Sequence, residues 1–94
     1  MIRNVVMVKL RPDHDPAEVA AIQSRLRSLD CAGTLAYTVG NDAGLRDGNW
    51  SFAIVADFVD EDSFRAYDAD AEHNRVRADL APLVESIARV QFRL

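Results

Sequence analysis

The segment IRNVVMVKL, Ile2 to Leu10, is apolar and β-branched on both of its sides. Alternate residues of a strand face opposite ways, so Ile2, Asn4, Val6, Val8 and Leu10 share one face, and Arg3, Val5, Met7 and Lys9 share the other. A strand that is greasy at its centre on both faces belongs between two layers rather than at a water boundary. Trp50 to Phe58, WSFAIVADF, repeats the pattern, with Trp50, Phe52, Ile54, Ala56 and Phe58 on one side and Ala53 and Val55 on the other. Any fold for this chain must cover both sides of its sheet.

Helical segments can cover one side. Asp15-Pro16-Ala17-Glu18 is a helix start, with aspartate as cap, proline at the first position and an acid in the first turn. Val19, Ile22, Leu26 and Leu29 then form one apolar stripe, and Gly33 lies beyond the helix end. Asp60 can cap a second helix with Phe64 and Tyr67 pointing inward. A further helical stretch is predicted from about His73 to Ala81, with Val76 and Leu80 apolar, ended or kinked at Pro82. Residues 34–40 alternate as a strand with Leu35, Tyr37 and Val39 on one face. Residues 86–94 form the last strand, with Ala88, Val90, Phe92 and Leu94 on one side. The segment from Asn41 to Asn49 is a glycine- and asparagine-rich connection between two strands.

The order β-α-β-β-α-β predicts an α+β, ferredoxin-like domain spanning residues 1–94. It has a four-stranded antiparallel sheet with its helices on one face. The chain's 94 residues hold one core and leave no room for a second. Val5, Met7, Ala53 and Val55 are then stranded on the uncovered face. A medium or large apolar side chain is worth about 1.5–3 kcal/mol when buried, and several such groups left in water would forfeit much of a small domain's stability. Pairing two sheets face to face around a two-fold axis, as a dimeric α+β barrel, is the expected remedy, so the predicted partner is a second copy of the chain.

The formal net charge of −4 argues against nucleic acid or an anionic membrane as partner. The single cysteine, Cys31, excludes an intrachain disulfide. The opening runs directly into a strand pattern with no cleavage site, so the cytoplasm is the expected location. His14 and His73 have no zinc-like spacing, and no metal is expected. Asp57, Asp60, Glu61 and Asp62 form an acidic cluster that suits a helix N-terminus. No motif calls for a cofactor, and Gly44-Leu45-Arg46-Asp47-Gly48 is not placed between a strand and a helix as a phosphate loop requires.

The residues also resemble the stress-responsive dimeric α+β barrel family, Dabb. IRNVVMVKL is similar to that family's Ile-Arg-His-Val-Val opening strand. The run from Gly40 through Arg46 and Asn49 into WSFAIVADF and DEDSFRAY resembles its loop, third strand and second helix. His73 falls six residues after Tyr67, where the family's Tyr-x-x-His-Pro-x-His segment places its last histidine. The resemblance covers essentially the whole chain and implies a homodimeric barrel with a cavity between sheet and helices. The family is mostly of undefined function but includes plant stress-associated proteins and a plant polyketide cyclase. In that cyclase a tyrosine and a histidine at these positions carry the chemistry, which implies Tyr67 and His73 here. Asp70 and Ala71 stand where the family has His-Pro, and Asn4 where the first strand usually has histidine.

Two residues six apart on an unbroken helix point about 120° from one another, so Tyr67 and His73 meet only if the helix breaks between them. Asp70 capping a new turn would supply that break. The expectation is a dimer that binds a small apolar or aromatic molecule among Asn4, Val6, Val8, Ile22, Leu26, Ile54 and Val76. The alternative is a cyclase-like enzyme in which His73 acts as base and Tyr67 as hydrogen-bond donor for an aldol or Claisen-type ring closure. Related barrels outside the family oxygenate aromatic substrates without a dedicated cofactor, using asparagine and tryptophan. That analogy would cast Asn4 and Trp50 together.

Overall fold

The computed structural model describes residues 1–94. Strand β1 (Ile2–Leu10) leads through helix α1 (Pro16–Arg27) to strands β2 (Thr34–Asn41) and β3 (Phe52–Phe58). Helices α2 (Glu61–Ala69) and α3 (Ala71–Leu80), a short 3₁₀ turn at Ala81–Leu83 and strand β4 (Val84–Arg93) complete the chain. The sheet order is β2-β3-β1-β4, and every neighbouring pair is antiparallel. This is the ferredoxin-like arrangement, with the second crossover made of two helices rather than one. No helix is long and apolar enough to cross a membrane.

The helix starts follow from their caps. The Asp15 carboxylate accepts from the Ala17 N–H at 2.9 Å, and the Asp60 carboxylate accepts from Ser63 N–H at 2.8 Å. Val19, Ile22 and Leu26 of α1 are buried against Val8, Val39, Phe52, Ile54, Val76 and Leu80 in the main core. A smaller cluster joins Ala56 and Phe58 to Tyr67, with Phe64 and Cys31 against it. Between α1 and β2, Gly33 holds φ +84°, and a Cβ there would lie 2.1 Å from Ser63 Oγ at the start of α2. Glycine is what lets the two segments close on each other, and Val59 N–H seals the approach by donating to the Gly33 carbonyl at 2.9 Å.

Register sorts the side chains into two faces. On the covered face, three rows run Tyr37–Ala56–Asn4–Gln91, Val39–Ile54–Val6–Arg89 and Asn41–Phe52–Val8–Ile87. On the open face, the corresponding rows run Ala36–Asp57–Arg3–Phe92, Thr38–Val55–Val5–Val90 and Gly40–Ala53–Met7–Ala88. The expected assignments for β1 and for Phe52 to Phe58 hold. The apolar side of β4 joins the open face, which leaves Met7, Val90 and Phe92 exposed.

Two strand assignments need correction. The register shifts between Thr34 and Ala36, so Leu35 is squeezed out of the ladder and is 55% exposed rather than sharing a face with Tyr37 and Val39. Strand β3 begins at Phe52, not Trp50. Ser51 donates its N–H to the Val8 carbonyl, and its hydroxyl accepts from Leu10 N–H, which ties the chain down just before the strand. Trp50 therefore escapes the alternation and lines a hollow with the open-face residues Met7, Gly40 and Ala53.

Candidate functional site

Helices α1 and α2 lie over β2 and β3, while β4 at the opposite edge is largely exposed. Under-coverage at that edge leaves a cavity of about 330 Å³ between α2, α3 and the β1–β4 half of the sheet. Its apolar wall includes Val6, Val8, Leu26, Ile54, Val76 and Leu80. Asn4 also lines it. Six of the seven residues expected to contact a ligand thus stand on this wall. Ile22 does not, because it is buried in the core on the α1 side.

The helix break between Tyr67 and His73 is present. Asp70 adopts extended angles (φ −60°, ψ 133°), ends α2 and caps α3, its carboxylate accepting from the His73 N–H at 2.9 Å. A single aspartate thus does the separating that a proline could do by losing its N–H. Helix α3 starts at Ala71, two residues before the expected position. As a result Tyr67 and His73 stack face to face, with ring centroids 3.9 Å apart and planes 25° from parallel. Both are buried, and both line the cavity.

The hydrogen bonds on this pair define its chemistry. His73 Nδ1 lies 2.8 Å from the Tyr67 carbonyl oxygen, an acceptor only, so Nδ1 carries the proton and donates. That leaves Nε2 as the unprotonated nitrogen of the neutral ring, with no bond from the rest of the chain. Burial pushes the His73 imidazole below its ordinary value, and the bond to the Tyr67 carbonyl opposes this in part. The Tyr67 hydroxyl sits 2.7 Å from the Tyr37 hydroxyl. Burial, followed by the influence of Tyr37, holds Tyr67 well above the usual phenol range. Tyr67 is therefore a neutral hydrogen-bonding group and not a base. Two hydroxyls in contact share one donated proton and leave a second O–H available. Phe58 and Phe64 wedge the Tyr67 ring from the core, with Phe58 at 5.0 Å.

The remaining polar wall comes from residues that the sequence pattern does not single out. Gln91 Nε2 donates to Asn4 Oδ1 at 2.8 Å across the β1–β4 pair. Arg77 of α3 donates to the Asp68 carboxylate at 3.0 Å and to the Asp68 carbonyl, while its Nε is buried without a partner. Arg89 of β4 completes the rim. The one signal for Gln91 and Arg89 is the polar phase of the last strand, the complement of Ala88, Val90 and Phe92. Trp50 does not reach this cavity, so the pairing of Asn4 with Trp50 is not formed. The acidic cluster also divides: Asp57 binds Arg3 through both oxygens (2.7 and 2.9 Å) on the open face, Asp60 caps α2, and Glu61 takes Arg65 and Arg93.

Solved structures share this architecture from end to end. A dimeric ferredoxin-like protein of unknown function from Thermobifida fusca is 35% identical, with a TM-score of 0.91 over 99% of this chain and 90% of that one. The hydroxynitrile lyase of Passiflora edulis is 14% identical, with a TM-score of 0.86 over 99% of this chain and 92% of that one. A mutant form of SnoaB, a cofactor-independent oxygenase from Streptomyces nogalater, is 20% identical, with a TM-score of 0.80 over 99% and 91%. The last two likenesses speak for the fold alone. No curated protein sequence matches the chain. Residues 2–94 match the stress responsive A/B barrel domain, Dabb, and with that match over nearly its whole length the chain belongs to the Dabb family.

Proposed function

We propose that the protein is a homodimer, paired through the open sheet face, that binds a small, mainly apolar or aromatic molecule in the cavity under α2 and α3. The observation that carries this reading is the cavity itself. It is about 330 Å³ in volume, with an apolar wall and a few convergent polar groups, which is the ordinary make-up of a small-molecule site. The apolar rows of the open face support the dimer, as does the dimeric state of the Thermobifida fusca relative. The test is mass spectrometry of the purified protein under native and then denaturing conditions. A dimer carrying a retained apolar compound that is released on unfolding is the expected result. Native protein that takes up no member of a broad aromatic library in a thermal-shift screen would refute it.

One observation favours a second, catalytic reading: the His73 tautomer. With Nδ1–H held by the Tyr67 carbonyl, Nε2 offers a lone pair on a buried ring that stays neutral at pH 7. It would take a proton from the acidic carbon of a β-keto substrate, and the spare hydroxyl proton of the Tyr37–Tyr67 pair would bond the carbonyl oxygen as charge develops there. An aldol or Claisen-type ring closure would follow. His73→Ala that folds and dimerises normally yet loses turnover of a β-keto thioester supports this reading, and unchanged turnover ends it.

A further inference from the structure

We infer that the molecule held in this cavity is an organic acid, with its carboxylate on Arg89 at the β4 rim and its apolar body against Val6, Ile54 and Val76. This inference deepens the ligand-binding reading above and rests on it.

The charges on the wall do not cancel. Asp68 and Arg77 are paired with each other. His73 is buried, which disfavours its charged form, and the Tyr67 carbonyl fixes which ring nitrogen carries the proton. Arg89 is left as the one uncompensated charge of the lining, in a chain whose net charge is −4. Its neighbours on the same face of β4 are committed, Gln91 to Asn4 and Arg93 to Glu61. Arg89 lies between Ile87 and Gln91 on that face, opposite Val6, and has neither acidic nor carbonyl partner.

The rest of the polar wall points the same way. The Asn4 carbonyl is taken by Gln91, so its Nδ2 is left with donors only. Arg77 Nε is buried and unpartnered, and a buried N–H without an acceptor is costly. The sheet side and α3 thus offer N–H groups at Asn4 Nδ2 and Arg77 Nε, with His73 Nε2 and Gln91 Oε1 among the acceptors beside them. A ligand rich in oxygen acceptors at one end satisfies this wall. A cation leaves the guanidinium repelled, and a neutral hydrocarbon leaves it to solvent, since Arg89 is exposed at the rim. Guanidinium is also the side chain best shaped to grip a carboxylate through two parallel bonds.

Isothermal titration with 2-naphthoate and its uncharged amide, 2-naphthamide, tests the idea on the wild-type dimer. The acid is expected to bind about tenfold or more tightly than the amide, the size of one charge-assisted hydrogen bond. Arg89→Gln should lower the affinity for the acid to the level of the amide, and Arg89→Lys should restore part of the preference. Equal binding of acid and amide, or a preference that survives Arg89→Gln, would overturn the organic-acid assignment and leave the cavity reading intact. No binding of either probe at millimolar concentration would overturn both.

Discussion

The two faces of the sheet are built from the same strands, yet they solve opposite problems. The covered face is apolar toward β2 and β3 but turns polar at β4, with Asn4, Arg89 and Gln91 beside the cavity. The open face stays apolar along most of its rows, and its charges are paired within the sheet, Lys9 with Glu85 at 3.9 Å and Arg3 with both oxygens of Asp57. That contact holds the Asp57 carboxyl below the usual carboxylate range. Polar groups are thus left unpaired on the side that has a roof and paired on the side that has none. A face with free donors under a helix layer is suited to specific recognition of a small molecule. A face with satisfied charges and exposed Val90, Phe92 and Met7 is suited to another protein surface. The two-residue period of β1 is what lets one strand serve both ends.

The strongest blow to this division is a charge on the open face alone. Val55 sits at the centre of that face, between Thr38 and Val5. In a two-fold dimer Val55→Lys acts twice, removing about 1.5–3 kcal/mol of burial per copy before any cost of the two ammonium groups. Dimer affinity is expected to fall a hundredfold or more. Light scattering across a dilution series should move from dimer to monomer while circular dichroism keeps the α+β signature. A variant that stays dimeric at low micromolar concentration would place the interface elsewhere.

A smaller blow strikes the roof instead. Gly33→Ala must hold a left-handed φ and push its Cβ into the Ser63 hydroxyl. The backbone term is about 1–2 kcal/mol, and turning the Ser63 hydroxyl aside leaves its Cβ too close, so the α2 start must shift and a loss of about 2–4 kcal/mol is expected. Urea unfolding should show a lower midpoint with an unchanged slope. Because the lesion lies at the α2 start, ligand retention should weaken while the open face is untouched. A midpoint equal to wild type would mean that the close approach of Gly33 and Ser63 is not under tension.

Most of this frame is legible in the sequence. The caps at Asp15 and Asp60 are local chemistry, and β1 is a short β-branched run, apolar at its centre on both faces, which favours a sandwiched strand. The Asp70 break can be named as a way for Tyr67 to meet His73, because aspartate caps helices wherever the chain lets it. Three features cannot be read, each for a physical reason. Which side of β4 faces the helices depends on register with β1, and the register is set by pairing across more than eighty residues of chain, not by the strand's own pattern. The exclusion of Leu35 is a single extra residue in a ladder, invisible to alternation. Spacing groups Trp50 with Phe52; the bonds made by Ser51 decide otherwise. In the site, the apolar wall is readable from the strand face of Val6 and Val8 and the stripe of α1. Arg77 and Arg89 are not, since a charged residue in an exposed strand or helix reads as a solvated one until the fold places a cavity beside it.

The finest test concerns the His73 ring. Its proton affinity is lowered in the folded state relative to the unfolded chain, first through burial. Between the folded value and the ordinary histidine value near 6.5 the unfolded chain therefore binds more protons, so stability rises with pH across that window and is lost as pH falls below about 6.5. One proton limits the effect to about 1.4 kcal/mol per pH unit. Asp57, Asp60 and Glu61, all held below their ordinary values, add losses of the same sign at lower pH. The two contributions separate because His73 starts to titrate first. Unfolding midpoints measured from pH 7.5 downward should fall for wild type and fall less for His73→Gln, with the two curves running parallel once the pH lies below the folded value of His73. Nitrogen-15 NMR of the ring supplies the direct readout, with Nε2 at the shift of an unprotonated nitrogen at pH 7 and Nδ1 protonated. The opposite tautomer would sever the Tyr67 carbonyl bond and remove the free lone pair at Nε2.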